Sequence, residues 1–520
     1  MKLLLRITLL LFTMQMYGQT KVSSKLYAKD LKLANTAFEA EDYLNAINLY
    51  RKVLAVDPNH EIANLNSVIS RLNLSQAPDS SMVHIVKLKN SQTPEVQYYF
   101  GMIYHLTSNF NEAINYYTKY KAVNAKNRSI ADSEVDYRIG CSKNAIELIS
   151  QPHRSIIKNL GSNINTAFAE YVPLIAPDES VLYFTSRREG SMGNLKDVYN
   201  NYYEDVYVSQ KTENDKWGAP KNIGAPINTN THDACVALSF DGNQMIIFRT
   251  SADQLTGDLY ISRVGFNGWT TPEKLGPQIN TPFIETSACF STDTSVIYFS
   301  SNKPGGLGGK DIYRIKKLPN GKWSMPMNLG PTINTERDDD SPFLHPDGTT
   351  LYFSSKGHNT IGEYDVFKTI LNQETNTFSP PENLGYPINT IHNDIFFVLN
   401  ANGTHGYYSS IKEETFGGSD LYMIDTRFGD NDLKVKQGKV LFGNEPNKAK
   451  ITLIDIESKQ VSGIYNASSK TGKFIMVMNP LKAYKAIIEE EGFQTMILDM
   501  EPLANEIIEK ELILSLTKKN

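Results

Sequence analysis

Five acidic residues recur through the middle of the chain at nearly constant spacing. Glu170, Asp233, Glu285, Asp339 and Asp394 are separated by 63, 52, 54 and 55 residues. Carboxylates gathered in this number can bind a cation or a basic ligand. A pair facing each other across a channel can cleave a glycosidic bond. A different chemistry competes with both. A carboxylate that returns in every unit of an array can accept hydrogen bonds from a loop's backbone and fix one unit to the next. Catalysis needs single residues that break the symmetry, so the repetition favours the structural role.

Each acid lies four positions after the last Thr of an octapeptide of the form N-L-G-x-x-I-N-T. The clearest copy is Asn328-Leu329-Gly330-Pro331-Thr332-Ile333-Asn334-Thr335, and four others fill residues 159–166, 222–229, 274–281 and 383–390. A period of this size marks stacked supersecondary units. Three signals travel with it. The first is a turn before an apolar strand, as in Pro346-Asp347-Gly348 followed by Leu351-Tyr352-Phe353; Gly supplies the positive φ of the turn. The second is an acid heading a short strand, D-x-Y, at Asp205, Asp258, Asp311, Asp365 (with Phe367 as its aromatic) and Asp420. The third is an aromatic leading to Pro, at Trp217, Trp269, Trp323 and Phe378. Four short strands per unit predict a propeller blade. There are five D-x-Y strands but four aromatic-to-Pro strands after them, and the unmatched octapeptide lies upstream at 159–166. It is expected to supply the outer strand of the last blade and close the ring, leaving no open edge. The prediction is an all-β propeller of five blades over 153–428, or six if the 187–204 insertion holds strands.

That insertion is the main departure from the repeat. It carries Tyr199, Asn201, Tyr202, Tyr203 and Glu204, a composition suited to an exposed recognition loop; the competing reading is a cover for the rim. Gly305-Gly306-Leu307-Gly308-Gly309 is expected to be a flexible hairpin loop, since a calcium-binding Gly/Asp repeat would need Asp where Lys310 stands. His345, His392 and His405 lack ligand spacing, and no G-x-S-x-G, phosphate loop or H-E-x-x-H occurs. Cys141, Cys235 and Cys289 are read as small buried residues. No catalytic, metal-ligating or cofactor-binding set is expected, and the chain is read as non-enzymatic. A net charge of −5 gives no basic face for nucleic acid.

Residues 1–18 read as a signal peptide, with Lys2 and Arg6 flanking an apolar run too short to span a bilayer. No Cys follows, so a lipid anchor is not expected, and no later segment is apolar enough to cross a membrane. Residues 25–152 are helical by period. Ala34, Ala46, Tyr50 and Pro58, then Gly101, Tyr104, Ala113 and Tyr117, fall at the positions of tetratricopeptide units, which these segments resemble. A degenerate unit over 61–91 and a closing helix pair over 129–150 complete the expected all-α array. Residues 434–520 alternate short strands with Gly turns and predict a small β-sandwich, similar to the transthyretin-type carboxypeptidase regulatory-like domain.

His345-Pro346-Asp347-Gly348-Thr349-Thr350-Leu351-Tyr352-Phe353-Ser354-Ser355 resembles the strand signature of TolB-like "PD" propellers. The full order, together with the octapeptide and Tyr203-Glu204-Asp205-Val206-Tyr207, resembles the PorE-like periplasmic proteins of type IX secretion and gliding. The resemblance implies a periplasmic scaffold or adaptor near the outer membrane whose partners are envelope proteins, secretion or gliding components among them. The OmpA-like domain that usually ends such proteins has no counterpart here, so peptidoglycan anchoring is not implied. The alternatives are a propeller glycosidase, and a glycan- or peptidoglycan-binding protein without turnover.

Overall fold

The computed structural model describes residues 24–519 except 75–77, 154, 198–199, 214–215, 253–255, 427–433, 470, 480–481 and 503–510. The signal-peptide reading therefore lies outside the described residues, as does Tyr199. The chain forms two compact units, residues 1–143 and 144–520.

The first unit is helical. Its helices are α1 (Ala28–Glu39), α2 (Tyr43–Val56), α3 (Glu61–Asn73), α4 (Pro78–Ile85), α5 (Glu95–Leu106) and α6 (Phe110–Ala122). A seventh, α7 (Asp132–Ser150), runs on into the second unit. Asp42 caps α2 by accepting from the Asn45 amide at 3.2 Å, and α2 stops ahead of Pro58. Ala34 and Ala46 are fully buried where α1 meets α2. A Cβ on Gly101 would lie 2.6 Å from the Tyr117 ring, so α5 and α6 approach closely because that side chain is absent. The expected closing helix pair is instead one helix, α7, of 19 residues. No Pro interrupts it, so nothing stops the i→i−4 ladder.

The second unit begins with five antiparallel sheets, each built largely as a meander. Their first strands are Glu170–Ile175, Asp233–Leu238, Ala288–Phe290, Asp339–Leu344 and Ile395–Leu399. These touch one another in that order, and the last returns to the first. The second strands carry the apolar run after each turn, and the third begin at the D-x-Y acids or, in the second sheet, one residue before, at Gly257. The fifth sheet takes its outer strand from upstream: Ile156–Asn159 pairs antiparallel with Asp420–Asp425, Ile156 opposite Asp425 and Asn159 opposite Tyr422. Between residues 187 and 204 the described residues form a short 3-10 turn (Met192–Asn194) and an isolated bridge, Lys196 to Tyr202, but no strand.

The last segment makes two four-stranded sheets. One contains Lys434–Phe442 between Lys473–Met478 and the parallel strand Leu512–Ser515; the other runs Val461–Asn466, Lys450–Asp455, Tyr484–Glu489, Met496–Met500. Both feed one core of Val440, Ile451, Leu453, Tyr465, Phe474 and Ile488. No helix among the described residues is long and apolar enough to cross a membrane.

Candidate functional site

The octapeptide folds on its two asparagines. In the first copy Asn159 Oδ1 accepts from the Gly161 amide at 2.7 Å and from Asn165 Nδ2 at 2.8 Å. Asn165 then pairs with both backbone groups of Leu421, donating to the carbonyl (3.0 Å) and accepting from the amide (2.9 Å). Asn159 Nδ2 reaches Asp420 at 2.7 Å. The same set recurs around Asp205, Asp311 and Asp365. In the third copy Lys274 replaces the first Asn and makes a 2.7 Å ion pair with Asp258. Each copy thus binds the third strand of one sheet while its end leads into the first strand of the next.

The repeated acids complete this joint. Glu170 accepts from the Thr166 amide and hydroxyl, both at 2.8 Å, from Ser186 at 2.7 Å and from Arg188 at 3.2 Å. Asp233, Glu285, Asp339 and Asp394 take the same two donors from Thr229, Thr281, Thr335 and Thr390, and a further one from Arg249, Ser301, Ser355 and Ser410. All five are at most 1% exposed. Glu285 and Asp394 precede their strands rather than starting them. Burial pushes the Glu170, Asp233 and Asp394 carboxyls up, and Asp339 to about 7, against the lowering effect of these hydrogen bonds. Each acid is enclosed by its own loop. Of the two readings of these acids, the geometry favours the hydrogen-bonded joint over a carboxylate ring open to ligand.

Two components of the joint went unrecognised in the sequence. Arg188, Arg249, His358 and Lys412 contact the carbonyl of the octapeptide's Ile in four copies. The D-x-Y acids also receive a backbone amide, from Met192, Leu307, Ile361 and Phe416 at 2.6 to 3.0 Å. A glycine follows each of these donors. A Cβ on Gly308, Gly362 or Gly417 would meet a main-chain oxygen beyond the neighbouring octapeptide at 2.2 to 2.3 Å. The Gly305–Gly309 segment is therefore a fitted wrap around Asp311, not a loose hairpin. The repeated signal was available: Gly three positions before the D-x-Y acid.

That spacing also defines the insertion. Gly308, Gly362 and Gly417 stand three residues before their acids, whereas Gly193 stands twelve before Asp205, so nine residues are inserted. They fold onto the rim. The Tyr203 amide donates to the Leu195 carbonyl at 3.0 Å. Tyr202 lies edge-on to Phe168, with ring centroids 5.4 Å apart, and Tyr203 stacks on His232 at 4.3 Å. Both tyrosines are buried, which favours the cover for the rim over the exposed recognition loop: two flat apolar rings gain more by covering neighbouring rings than by facing water. Asn201 is half-buried, its amide donating to Asp197 at 3.0 Å. The exposed side of the insertion is Gly193, Asn194, Leu195, Lys196 and Asn200.

Glu204 is the centre of a polar cluster at the first sheet. Arg187 reaches it at 2.9 Å and Asp197 at 2.9 Å; Tyr171 donates to it at 2.5 Å; His232 Nδ1 is 3.6 Å away. Burial would raise the Glu204 carboxyl, but the His232 hydrogen bond, the Arg187 charge and the Tyr171 hydroxyl outweigh it and bring it to about 2. Lys310 occupies the matching position in the third sheet, directly before Asp311. It pairs with Asp340 at 2.8 Å and donates to Thr286 at 2.8 Å. Ser287 and Ser300 also donate to Asp340. Burial opposes ionisation there too, but Lys310 and the two serines hold the Asp340 carboxyl below its ordinary value. Both acids are ionised and supplied with donors, so neither is poised to release a proton near neutral pH. Among the described residues no three His, Cys, Asp or Glu are placed to hold a metal ion. Cys141, Cys235 and Cys289 are buried and free.

No protein-family model and no curated protein matches the chain. Solved structures similar to it include a TolB candidate from Agrobacterium tumefaciens, 16% identical, covering 62% of this chain and 96% of its own, with a TM-score of 0.31. They also include an α-L-arabinofuranosidase from Lactobacillus brevis (13% identity, 52% and 95% coverage, TM-score 0.34) and an endo-arabinase from Bacteroides thetaiotaomicron (13%, 52% and 98%, 0.34). At these identities and scores no activity passes from them to this chain.

Proposed function

We propose that the protein is a non-catalytic adaptor of the bacterial envelope, related to the PorE-like periplasmic proteins. In this reading it combines a tetratricopeptide-like array, a five-bladed propeller and a transthyretin-type sandwich, and holds envelope proteins near the outer membrane. The observation that carries the reading is the engagement of the acids. The five repeated carboxylates, and Glu204 and Asp340 with them, already have internal donors. A glycosidase needs one carboxyl held protonated to assist the leaving group and a second free to face the sugar. The helical unit adds partly exposed aromatic rings on α5 and α6: Tyr104 and Tyr116 stack at 5.3 Å, with the buried Phe100 against Tyr116 at 4.8 Å. Large rigid rings of this kind suit protein recognition.

The test is crosslinking of the tagged protein in intact cells, followed by enrichment from envelope fractions. A defined set of envelope proteins should be recovered, and should be lost when residues 25–143 are removed. Recovery of none, or turnover of arabinan or another glycan by the purified chain, would overturn the proposal.

A further inference from the structure

A buried cation in the third sheet has no counter-ion. The residue three places after the D-x-Y acid is Val208, Ile261, Arg314, Lys368 and Met423 in the five sheets. Lys368 lies opposite Glu382, in the outer strand of the fourth sheet, and pairs with it at 3.2 Å. Arg314 lies opposite Met327 instead. It is only 5% exposed. Among the described residues no carboxylate pairs with it, and its Nε is buried without a hydrogen-bond partner. The polar side chain opposite it on the second strand is Tyr298. Burial raises that phenol, and the Arg314 charge pulls against the rise. A phenol is neutral near pH 7, so it does not balance a guanidinium.

A charge taken out of water is costly unless an opposite charge meets it. The fold meets Lys368 and leaves Arg314 unmet at the same place in the repeat. The two terminal nitrogens of Arg314 are not closed off as Nε is. Their parallel N–H groups match the two oxygens of a carboxylate, and the Tyr298 hydroxyl can donate beside them. One guanidinium balances one negative charge, which suits a carboxylate better than a phosphate dianion. The approach is apolar. Met327 is 46% exposed and Met325, two residues before it, 78%. Flexible thioether chains yield to a ligand and pack on its carbon.

We infer that Arg314, with Tyr298 beside it, binds a single carboxylate at the methionine rim of the third sheet, carried by a short organic acid or by an acidic residue of a partner polypeptide. This goes beyond the adaptor reading and does not depend on it. The test compares the thermal midpoint of the full chain in sodium acetate and in sodium chloride of equal ionic strength near pH 7. A ligand that binds only the folded state raises the midpoint with the logarithm of its concentration, so acetate should raise it above the chloride series. Arg314→Met should abolish that difference and leave the chloride midpoint equal or higher, because apolar volume replaces an unmatched buried charge. Met327→Glu places a carboxylate where Glu382 stands in the fourth sheet. It should raise the chloride midpoint and also abolish the acetate difference, and it carries the test if Arg314→Met fails to fold. The α-amide of N-acetylglutamate distinguishes the two sources: a larger shift than acetate at equal concentration marks a peptide-borne carboxylate, a smaller one a free acid. No acetate response beyond chloride in the native chain, or one that persists in a folded variant, would overturn the inference.

Discussion

A buried carboxylate and its donors set opposite pH dependences at two places in the second unit. Glu204 sits at about 2 in the fold, below its ordinary value, because His232, Arg187 and Tyr171 outweigh the burial that opposes its ionisation. A lowered acid contributes stability above its unfolded value and loses it as pH falls toward the folded one. Glu204→Gln should therefore cost on the order of 3 kcal/mol at pH 6, at about 1.4 kcal/mol per unit of separation, and progressively less between pH 4.5 and 2. Chemical denaturation of the two chains across that range checks it; a difference that does not shrink with acid would refute the assignment. Asp339 behaves in reverse. Burial raises it to about 7 despite the Ser355 and Thr335 hydrogen bonds. Its contribution is complete below its unfolded value near 4 and declines as pH rises through about 7. Asp339→Asn should lose about 1–3 kcal/mol at pH 4, where the native side chain is neutral and only the geometry of its bonds differs. The gap between the two chains should narrow toward pH 7 and then stay constant.

At the scale of the element, the joint between sheets depends on close backbone approach. Gly362 lies where a Cβ would meet Ile391 O at 2.3 Å, Ile391 C at 2.5 Å and Ile391 Cα at 2.6 Å. Backbone cannot step aside as a flexible side chain can. Gly362→Ala should destabilise the chain by about 1–3 kcal/mol through overpacking, measured as a lower urea midpoint with unchanged slope. Gly140→Ala is the control. Nothing lies within 4 Å of a Cβ there, the site is inside α7, and alanine favours helix by about 1 kcal/mol. The two substitutions should move the midpoint in opposite directions. This joint also marks what a reader of the sequence can extract. The octapeptide, the turn before each apolar strand and the D-x-Y strands are short local patterns repeated five times, so strand order and the outer strand at 156–159 follow from counting them. The burial of Tyr202 and Tyr203 does not follow, because it depends on Phe168 and His232, which come from other loops. The role of the five acids was equally ambiguous, since the same carboxylates serve a joint or an open ring depending on which donors fold against them. The Gly three residues before three of the D-x-Y acids was visible, but its meaning required the neighbouring sheet's main chain.

For the second unit as a whole, closure is the decisive property. Three of the contacts between the first and fifth sheets bear on closure. Ile156–Asn159 supplies the outer strand. Asn165 pairs with both backbone groups of Leu421. Glu179 receives His405 and Tyr407 from the fifth sheet, both at 2.9 Å, and Lys211 from the first at 3.1 Å. A chain beginning at residue 168 loses the first two and keeps the third. It exposes the outer edge of Asp420–Asp425 and leaves the Leu421 amide and carbonyl without their side-chain partner. Orphaned buried backbone groups cost about 1–3 kcal/mol each. With roughly 4 kcal/mol lost, and 2–4 °C per kcal/mol for a body of this order of size, the midpoint should fall by about 10 °C relative to a chain beginning at 152. The exposed edge strand should also promote association, seen as a larger species in sedimentation. Asn165→Ala in the full chain isolates the side-chain part of the effect and should give a smaller fall without association. Equal midpoints for chains beginning at 152 and 168 would show that the contacts kept beyond residue 168 suffice to hold the ring, and that residues 156–166 serve only to lead the chain into the first sheet.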